Sequence, residues 1–166
     1  MALITPVLTK SAIEITSKLA FNIWNQHYIP IIGQAQVKYM LEKFQSPQAI
    51  SEQINRGTEY FLIYHNHKPV GYMALVPEPS EKKLMLSKIY VDTDFRGLHL
   101  GVKLLNFAKT IAQNKKYNTL WLTVNKNNQN AISWYQKNGF SIKDSLVIDI
   151  GNGFVMDDYL MEAAIN

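Results

Sequence analysis

The most chemically suggestive segment of the sequence is a loop rich in glycine and basic residues. It reads Arg96-Gly97-Leu98-His99-Leu100-Gly101 and connects a predicted strand to a predicted helix. The first amides of a helix lack partners within it, and the helix dipole adds positive potential there, so this position suits an anion. Glycines let the backbone approach a phosphate closely. On these grounds alone, the loop is either an anion site or an ordinary strand-to-helix turn in which Gly97 supplies geometry.

The pattern of apolar residues predicts helices in the first third of the chain and mainly strands after it. Ile15, Leu19 and Ile23 share one face of a first helix, and a second helix ends before Pro47. The predicted strands are Tyr60–Tyr64, Val70–Val76, Leu84–Val91, Asn118–Val124, Phe140–Ile150 and Phe154–Ala163. A short helix, Ala131–Lys137, lies between the fourth and fifth of these strands. The order predicts an α/β domain with a mixed sheet, in which Leu84–Val91 and Asn118–Val124 run parallel.

Length and composition narrow the class of protein. The 166 residues predict a single domain spanning 1–166, and the absence of cysteine excludes thiolate chemistry and cysteine-rich zinc sites, so no metal is expected. The net charge of +4 comes from scattered lysines, which suits an anionic cofactor and does not indicate nucleic-acid binding. Neither a signal-peptide pattern nor a membrane span is evident, so we expect a cytoplasmic protein without membrane partners.

Two blocks of sequence resemble the signature of the GNAT superfamily of N-acetyltransferases. Ile89 to Gly101 looks like the strand, acidic turn and R/Q-x-x-G-x-G/A loop of that family, with His99 in place of the middle glycine. Leu122 to Phe140 resembles the family's L-x-V-x-x-x-N-x-x-A-x-x-x-Y-x-x-x-G-F run, in which Asn128 and Tyr135 occupy the matching positions. Two such blocks in order, separated by one helix, are more specific than either alone.

The resemblance implies a fold, a co-substrate and a set of site residues. The fold would be the GNAT fold, a mostly antiparallel sheet of six to seven strands with a splayed parallel pair at its centre and helices on both faces. The co-substrate would be acetyl-CoA, bound by Ile89, Tyr90, Val91, Arg96, Gly97, Leu98, His99, Leu100, Gly101, Asn128 and Tyr135. The backbone near Ile89 or Tyr90 would stabilise an oxyanion, and Tyr135 would be the general acid, since a phenol with an ordinary pKa of about 10 is protonated near neutrality.

Alternatives remain for individual residues. Tyr135 can instead be a packed aromatic residue, and Asn128 can be a helix cap. Some relatives carry a glutamate where Met85 stands here, so the sequence does not identify the general base. The ionisable candidates are Glu59, Glu78, His27, Asp157 and Asp158, and a chain of water molecules is a further option.

The activity implied is transfer of an acetyl group to a primary amine, which we expect to belong to a small molecule. A protein amine is the alternative substrate. A non-catalytic acyl-CoA sensor that has kept the fold is the alternative function, supported by His99 and by the missing glutamate. The sequence does not decide the oligomeric state, and a homodimer is one of the options.

Overall fold

The computed structural model describes every residue from Met1 to Asn166. The strands are β1 (Ala2–Pro6), β2 (Glu59–His65), β3 (Lys68–Glu78), β4 (Lys83–Val91), β5 (Thr119–Asn125), β6 (Ser141–Gly151) and β7 (Phe154–Ala164). The helices are α1 (Lys10–His27), α2 (Ile29–Ile32), α3 (Gln34–Phe44), α4 (Pro47–Asn55), α5 (Leu100–Asn114) and α6 (Gln129–Lys137). None of the helices has both the length and the apolar character needed to cross a membrane.

The seven strands form one mixed sheet in the order β1-β2-β3-β4-β5-β7-β6. The pairs β1–β2, β2–β3, β5–β7 and β6–β7 are antiparallel, whereas β4 and β5 are parallel. The parallel pairing runs from Lys83 opposite Thr119 to Met85 opposite Trp121, and β5 continues to Asn125. The predicted α/β class, the mostly antiparallel sheet and its parallel pair are therefore confirmed.

The chain is organised in two compact units. The first comprises Met1–Val76 and Lys88–Ala108, and the second comprises Pro77–Ser87 and Lys109–Asn166. The boundaries fall within β3, β4 and α5, so the first unit holds the glycine-containing loop and the second holds the segment with Asn128 and Tyr135.

In the first unit, helices cover both faces of the strands. Successive residues of a strand point to opposite faces. Accordingly, Tyr60 of β2 donates a hydrogen bond from its hydroxyl to Gln53 Oε1 of α4 (2.6 Å), while the neighbouring Phe61 packs against Phe107 of α5 with 5.0 Å between ring centroids. The hydroxyl of Thr9 caps α1 by accepting from the amide of Ala12 at 3.1 Å.

In the first unit, Pro47 follows the end of α3 and begins α4. Pro47 was expected to end the second predicted helix, and α3 does end at Phe44. Pro47 is also the first residue of α4, where its missing amide costs no hydrogen bond, and Ser46 caps that helix through the amide of Ala49 at 3.2 Å.

In the second unit, β5 alternates between a buried face and a more open face. Leu120, Leu122 and Val124 are buried, whereas Trp121 and Thr123 are half-buried on the opposite face. The β6–β7 hairpin turns through Gly151, Asn152 and Gly153, all with positive φ. This alternation makes one face of β5 core and leaves the other face available for polar chemistry.

Candidate functional site

The loop between β4 and α5 is held at its start by backbone hydrogen bonds within the first unit. The amide of Asp92 donates to the carbonyl oxygen of Val70 on β3 (2.8 Å), and the side chain of Asp92 accepts from the amide of Asp94 (3.0 Å). A single turn of 3-10 helix, Thr93–Phe95, follows. The side chains from Arg96 to His99 are then exposed, and Leu100 begins α5 as a buried residue. The rigid start and exposed centre of the loop leave its backbone open to a ligand.

The backbone of this loop offers open space and amide donors at the start of α5. Gly97 has φ of 82°, and a Cβ built there would meet no atom within 4 Å. The amide of Lys103 bonds the His99 carbonyl at 3.1 Å and makes the first hydrogen bond of the helical turn. The amides before Lys103 at the start of α5 therefore have no acceptor within the helix. The first turn of α5 carries no acidic residue. The residues present therefore fit an anionic group such as a diphosphate.

His99 keeps a backbone conformation that glycine adopts more readily. Its φ is 59°, in the left-handed region, and His is one of the residue types that tolerate this region better than most. A glycine, the residue of the family pattern at this position, would adopt this conformation without strain.

The end of α1 contacts the loop. The Thr93 hydroxyl donates to Gln26 Oε1 at 3.0 Å. Burial lowers the pKa of His27 at the end of α1, and the positive charge of Arg96 lowers it further. His27 is consequently uncharged near neutrality, as expected for a half-buried histidine, and its ring packs edge-on against Tyr28 at 4.7 Å.

Tyr90 belongs to a cluster of aromatic side chains in the first unit. Its hydroxyl lies 2.9 Å from the hydroxyl of Tyr28, and its ring packs against Trp24 (5.6 Å) and Tyr72 (5.5 Å). The Tyr90 carbonyl lies so close to Gly71 of β3 that an added Cβ would be 2.6 Å from the oxygen. These contacts fix the backbone of the predicted Ile89–Val91 segment.

Lys88, which the sequence did not single out, lies beside this segment. Its Nζ donates to Gln53 Oε1 at 3.4 Å and lies 5.5 Å from the centre of the Tyr60 ring. Burial lowers the pKa of Lys88 to about 8. The only feature of the sequence that could have drawn attention to Lys88 is its place in the middle of a strand rich in apolar residues.

Asn128 and Tyr135 lie at the two ends of α6 in the second unit. Asn128 is 4% exposed and caps the helix, with Oδ1 accepting from the amide of Ala131 at 3.4 Å. The ring of Tyr135 is half-buried and packs against Trp134 (5.3 Å) and Phe140 (5.5 Å). The capping role of Asn128 and the packing role of Tyr135 are thus both present.

The second unit also holds three of the five ionisable candidates for the general base. Asp157 is exposed and forms an ion pair with Lys126 at 2.7 Å. Glu78 accepts a 2.5 Å hydrogen bond from the indole nitrogen of Trp121. Asp158 is only 3% exposed; burial raises its pKa from 3.8 to about 6, and the charge of Asp157 raises it further, against the opposing effects of Thr123 and Lys126.

The structure thus arranges the predicted residues in two groups. Ile89 to Gly101 form one continuous segment of the first unit, and Asn128 and Tyr135 belong to the second. Of the remaining base candidates, His27 and Glu59 are in the first unit, and His27 is the one in electrostatic contact with the predicted loop.

Comparison with known proteins identifies relatives that match part of this sequence. Over 90 residues the chain is 31% identical to an uncharacterized N-acetyltransferase of Methanocaldococcus jannaschii, a match that covers 51% of this chain and 40% of that protein. Over 108 residues it is 27% identical to the peptidyl-lysine N-acetyltransferase YjaB of Salmonella typhimurium, covering 64% of this chain and 67% of that enzyme. The chain therefore spans less than half the length of the first of these relatives.

Solved structures share the fold. PaiA N-acetyltransferase from Thermoplasma acidophilum, crystallised with coenzyme A, superposes with a TM-score of 0.83 at 21% identity over 99% of both chains. A GCN5-related N-acetyltransferase from Rhodopseudomonas palustris gives a TM-score of 0.82 at 16% identity, over 99% of this chain and 96% of that one. At these identities the likeness concerns the fold. The sequence model of the acetyltransferase (GNAT) family matches residues 21–140, well over half of the chain, and this chain therefore belongs to the GNAT family.

Proposed function

We propose that this protein is an N-acetyltransferase that transfers the acetyl group of acetyl-CoA to the primary amine of a small molecule. The observation that carries the proposal is the loop at the start of α5. Two residues with positive φ, Gly97 and His99, precede a helix whose first turn has no acidic residue. Membership of the GNAT family supports the same chemistry.

The residues that would hold acetyl-CoA come from both units. In the first unit, the amides from Gly97 to Gly101 would bind the diphosphate, with the exposed guanidinium of Arg96 beside them. The backbone of Ile89, Tyr90 and Val91 would bind the extended arm. In the second unit, Asn128 would contact the same arm while its side chain caps α6. The co-substrate supplies an acyl group already activated as a thioester.

Tyr135 would act as the general acid. A phenol remains protonated near neutrality and can give its proton to a departing sulfur. The packing of its ring between Trp134 and Phe140 restricts the directions the hydroxyl can take. A backbone amide near Ile89 or Tyr90 would stabilise the negative charge that develops on the acyl oxygen, and the aromatic cluster around Tyr90 would keep that amide in place.

A protein lysine is the second candidate acceptor. The observation that favours it is the 27% identity to YjaB, which is named as a peptidyl-lysine N-acetyltransferase. Both candidate acceptors are cationic amines, so the polar face of β5, where Glu78 and Asp158 bring carboxylates, would suit either of them.

The experiment that tests the proposal is a screen of amines with acetyl-CoA. Thiol release would be measured with spermidine and other small amines, with a peptide carrying one lysine and a blocked N-terminus, and with a peptide carrying only a free N-terminus. Turnover of the small amines supports the proposal, and turnover restricted to the lysine peptide selects the second candidate. Tight binding of coenzyme A without turnover of any amine would indicate the non-catalytic sensor instead.

A further inference from the structure

Lys88 lies on the face of β4 that α1 and α4 cover in the first unit. Lys88 and Tyr90 are two residues apart and therefore share a face. On that face, Tyr90 packs against Trp24 of α1, and Lys88 reaches Gln53 of α4. Lys88 and Tyr90 are both half-buried and keep some exposed surface. A basic side chain thus stands among aromatic rings at an accessible part of the sheet.

The amino group of Lys88 is held in a defined position. Its Nζ donates to Gln53 Oε1 at 3.4 Å and lies 5.5 Å from the centre of the Tyr60 ring. The amide nitrogen of Gln53 donates to the carbonyl oxygen of Phe44 at 2.9 Å. Because a carbonyl oxygen can only accept, the amide oxygen of Gln53 must face Lys88 and the Tyr60 hydroxyl, which donates to it at 2.6 Å. Gln53 is therefore fixed in the orientation that receives a cation.

These contacts favour the charged form of Lys88. An amide oxygen accepts hydrogen bonds from an ammonium group, and the face of an aromatic ring attracts a cation. Burial lowers the pKa of Lys88 to about 8, which still leaves the side chain mostly protonated at pH 7. An ammonium group has three N–H donors, so its bond to Gln53 does not prevent it from binding an anion. A half-buried cation of this kind suits a carboxylate, which would accept a charge-assisted hydrogen bond.

The chain order of β4 and the loop puts Lys88 at the reacting end of the proposed co-substrate site. A coenzyme with its diphosphate on Arg96–Gly101 and its arm along Ile89–Val91 would present its thioester at the Ile89 end of that segment, and Lys88 is the next residue. The side chain of Lys88 extends towards Gln53 on α4 and Tyr60 on β2, and β3 separates β2 from β4. Nζ would therefore contact a part of the acceptor other than its reacting nitrogen.

We infer that Lys88 binds a carboxylate group of the acceptor, so that the acceptor is a small amino acid whose amine and carboxylate lie several bonds apart. The inference rests on the acetyl transfer proposed above and names the class of its substrate. Lys88 donates to a carboxylate oxygen while the amine at the other end of the acceptor reaches the thioester. A diamine or polyamine would instead bring a second cation to Lys88, and like charges in contact oppose binding.

The test compares acceptors that differ only in the carboxylate. β-Alanine, γ-aminobutyrate and ε-aminocaproate would each be assayed with acetyl-CoA at about pH 7 against the amine that lacks the carboxyl group, which is ethylamine, propylamine and pentylamine respectively. For the pair that the wild type turns over best, kcat/KM should be about 10- to 100-fold higher for the amino acid, the effect of one hydrogen bond to a charged group. Spermidine should be a poorer acceptor than that amino acid.

Variants of Lys88 separate binding from folding. Lys88→Met keeps the length of the side chain without its charge and should raise the KM for the amino acid by about 10- to 100-fold, while the matched amine is largely unaffected. Lys88→Arg keeps a charge and should retain part of the preference. Lys38→Met removes the same charge at an exposed position of α3 and, as the matched control, should keep the wild-type ratio of the two acceptors. The Kd for coenzyme A, measured by calorimetry, should be the same in all variants.

The outcomes distinguish this inference from the proposed function. A kcat/KM for the amino acids no higher than for the matched amines, or an unchanged ratio in Lys88→Met, overturns the carboxylate site and leaves the acetyl transfer standing. Turnover restricted to the lysine peptide does the same. A wild type that acetylates none of these acceptors and neither peptide overturns the proposed acetyl transfer itself, and the carboxylate site is overturned with it.

Discussion

Replacing Asp158 by Asn should change how the stability of the protein depends on pH. The pKa of Asp158 is raised from 3.8 to about 6 in the folded protein, so the folded state binds this proton more tightly than the unfolded state does. The stabilisation from this group is therefore complete below the unfolded pKa and is lost as pH rises through the folded pKa. Asn at this position has no proton to bind, and its contribution does not vary with pH.

The size of the effect follows from the two pKa values. At about 1.36 kcal/mol for each pH unit between 3.8 and about 6, the charged Asp158 costs about 3 kcal/mol above neutrality. About 1.4 kcal/mol of this cost develops between about pH 5 and about pH 7.5. For a chain of this length, that corresponds to a difference of about 3–6 °C in Tm.

The assay is thermal unfolding of the wild type and Asp158→Asn at both pH values and constant ionic strength. We expect the Tm of the variant, relative to the wild type, to rise by that amount between the lower and the higher pH. Asp149→Asn provides the control, because Asp149 is exposed and Asn keeps its hydrogen bond to the amide of Gly151, so its difference from wild type should stay nearly constant. A constant difference for Asp158→Asn would show that the carboxylate is not in a desolvated site, and the reasoning from its burial would be wrong.

Three further changes probe other parts of the structure. Gly71→Ala should lower the free energy of unfolding by about 1–3 kcal/mol in denaturant titrations, because its Cβ would lie 2.6 Å from the backbone oxygen of Tyr90; a stability equal to wild type would contradict that close approach. His99→Val should cost about 1–2 kcal/mol because a β-branched residue tolerates a φ of 59° poorly, while His99→Gly should not destabilise, and equal stabilities for Val and Gly would refute the conformation. Tyr135→Phe should lower kcat for acetyl transfer more than it changes KM, and normal turnover would leave Tyr135 as a packing residue only.

The elements of the fold were predictable because their signals are local. The apolar spacing of α1, the alternation along β5 and the Asn138-Gly139 stop after α6 each depend on residues close together in the chain. The loop from Arg96 to Gly101 was predictable for the same reason, since a strand, a glycine and a helix start follow one another directly. The one-turn helix α2 was not predictable, because its four residues are too few to show a helical period.

The electrostatic properties of the site were not predictable from the sequence. Asp157 and Asp158 are adjacent and chemically identical, yet one is exposed and paired with Lys126 and the other is buried. That difference arises from the register of β7 on β5 and from which face each side chain takes, both of which are set by long-range pairing. The lowered pKa of Lys88 likewise depends on burial beneath elements distant in sequence.

A structure of the protein with coenzyme A would test the central claim most directly. The geometry of the loop predicts that the diphosphate lies within hydrogen-bonding distance of the backbone amides from Gly97 to Gly101, at the start of α5. A diphosphate bound at any other place on the protein would contradict the assignment of this loop and, with it, the proposed use of acetyl-CoA.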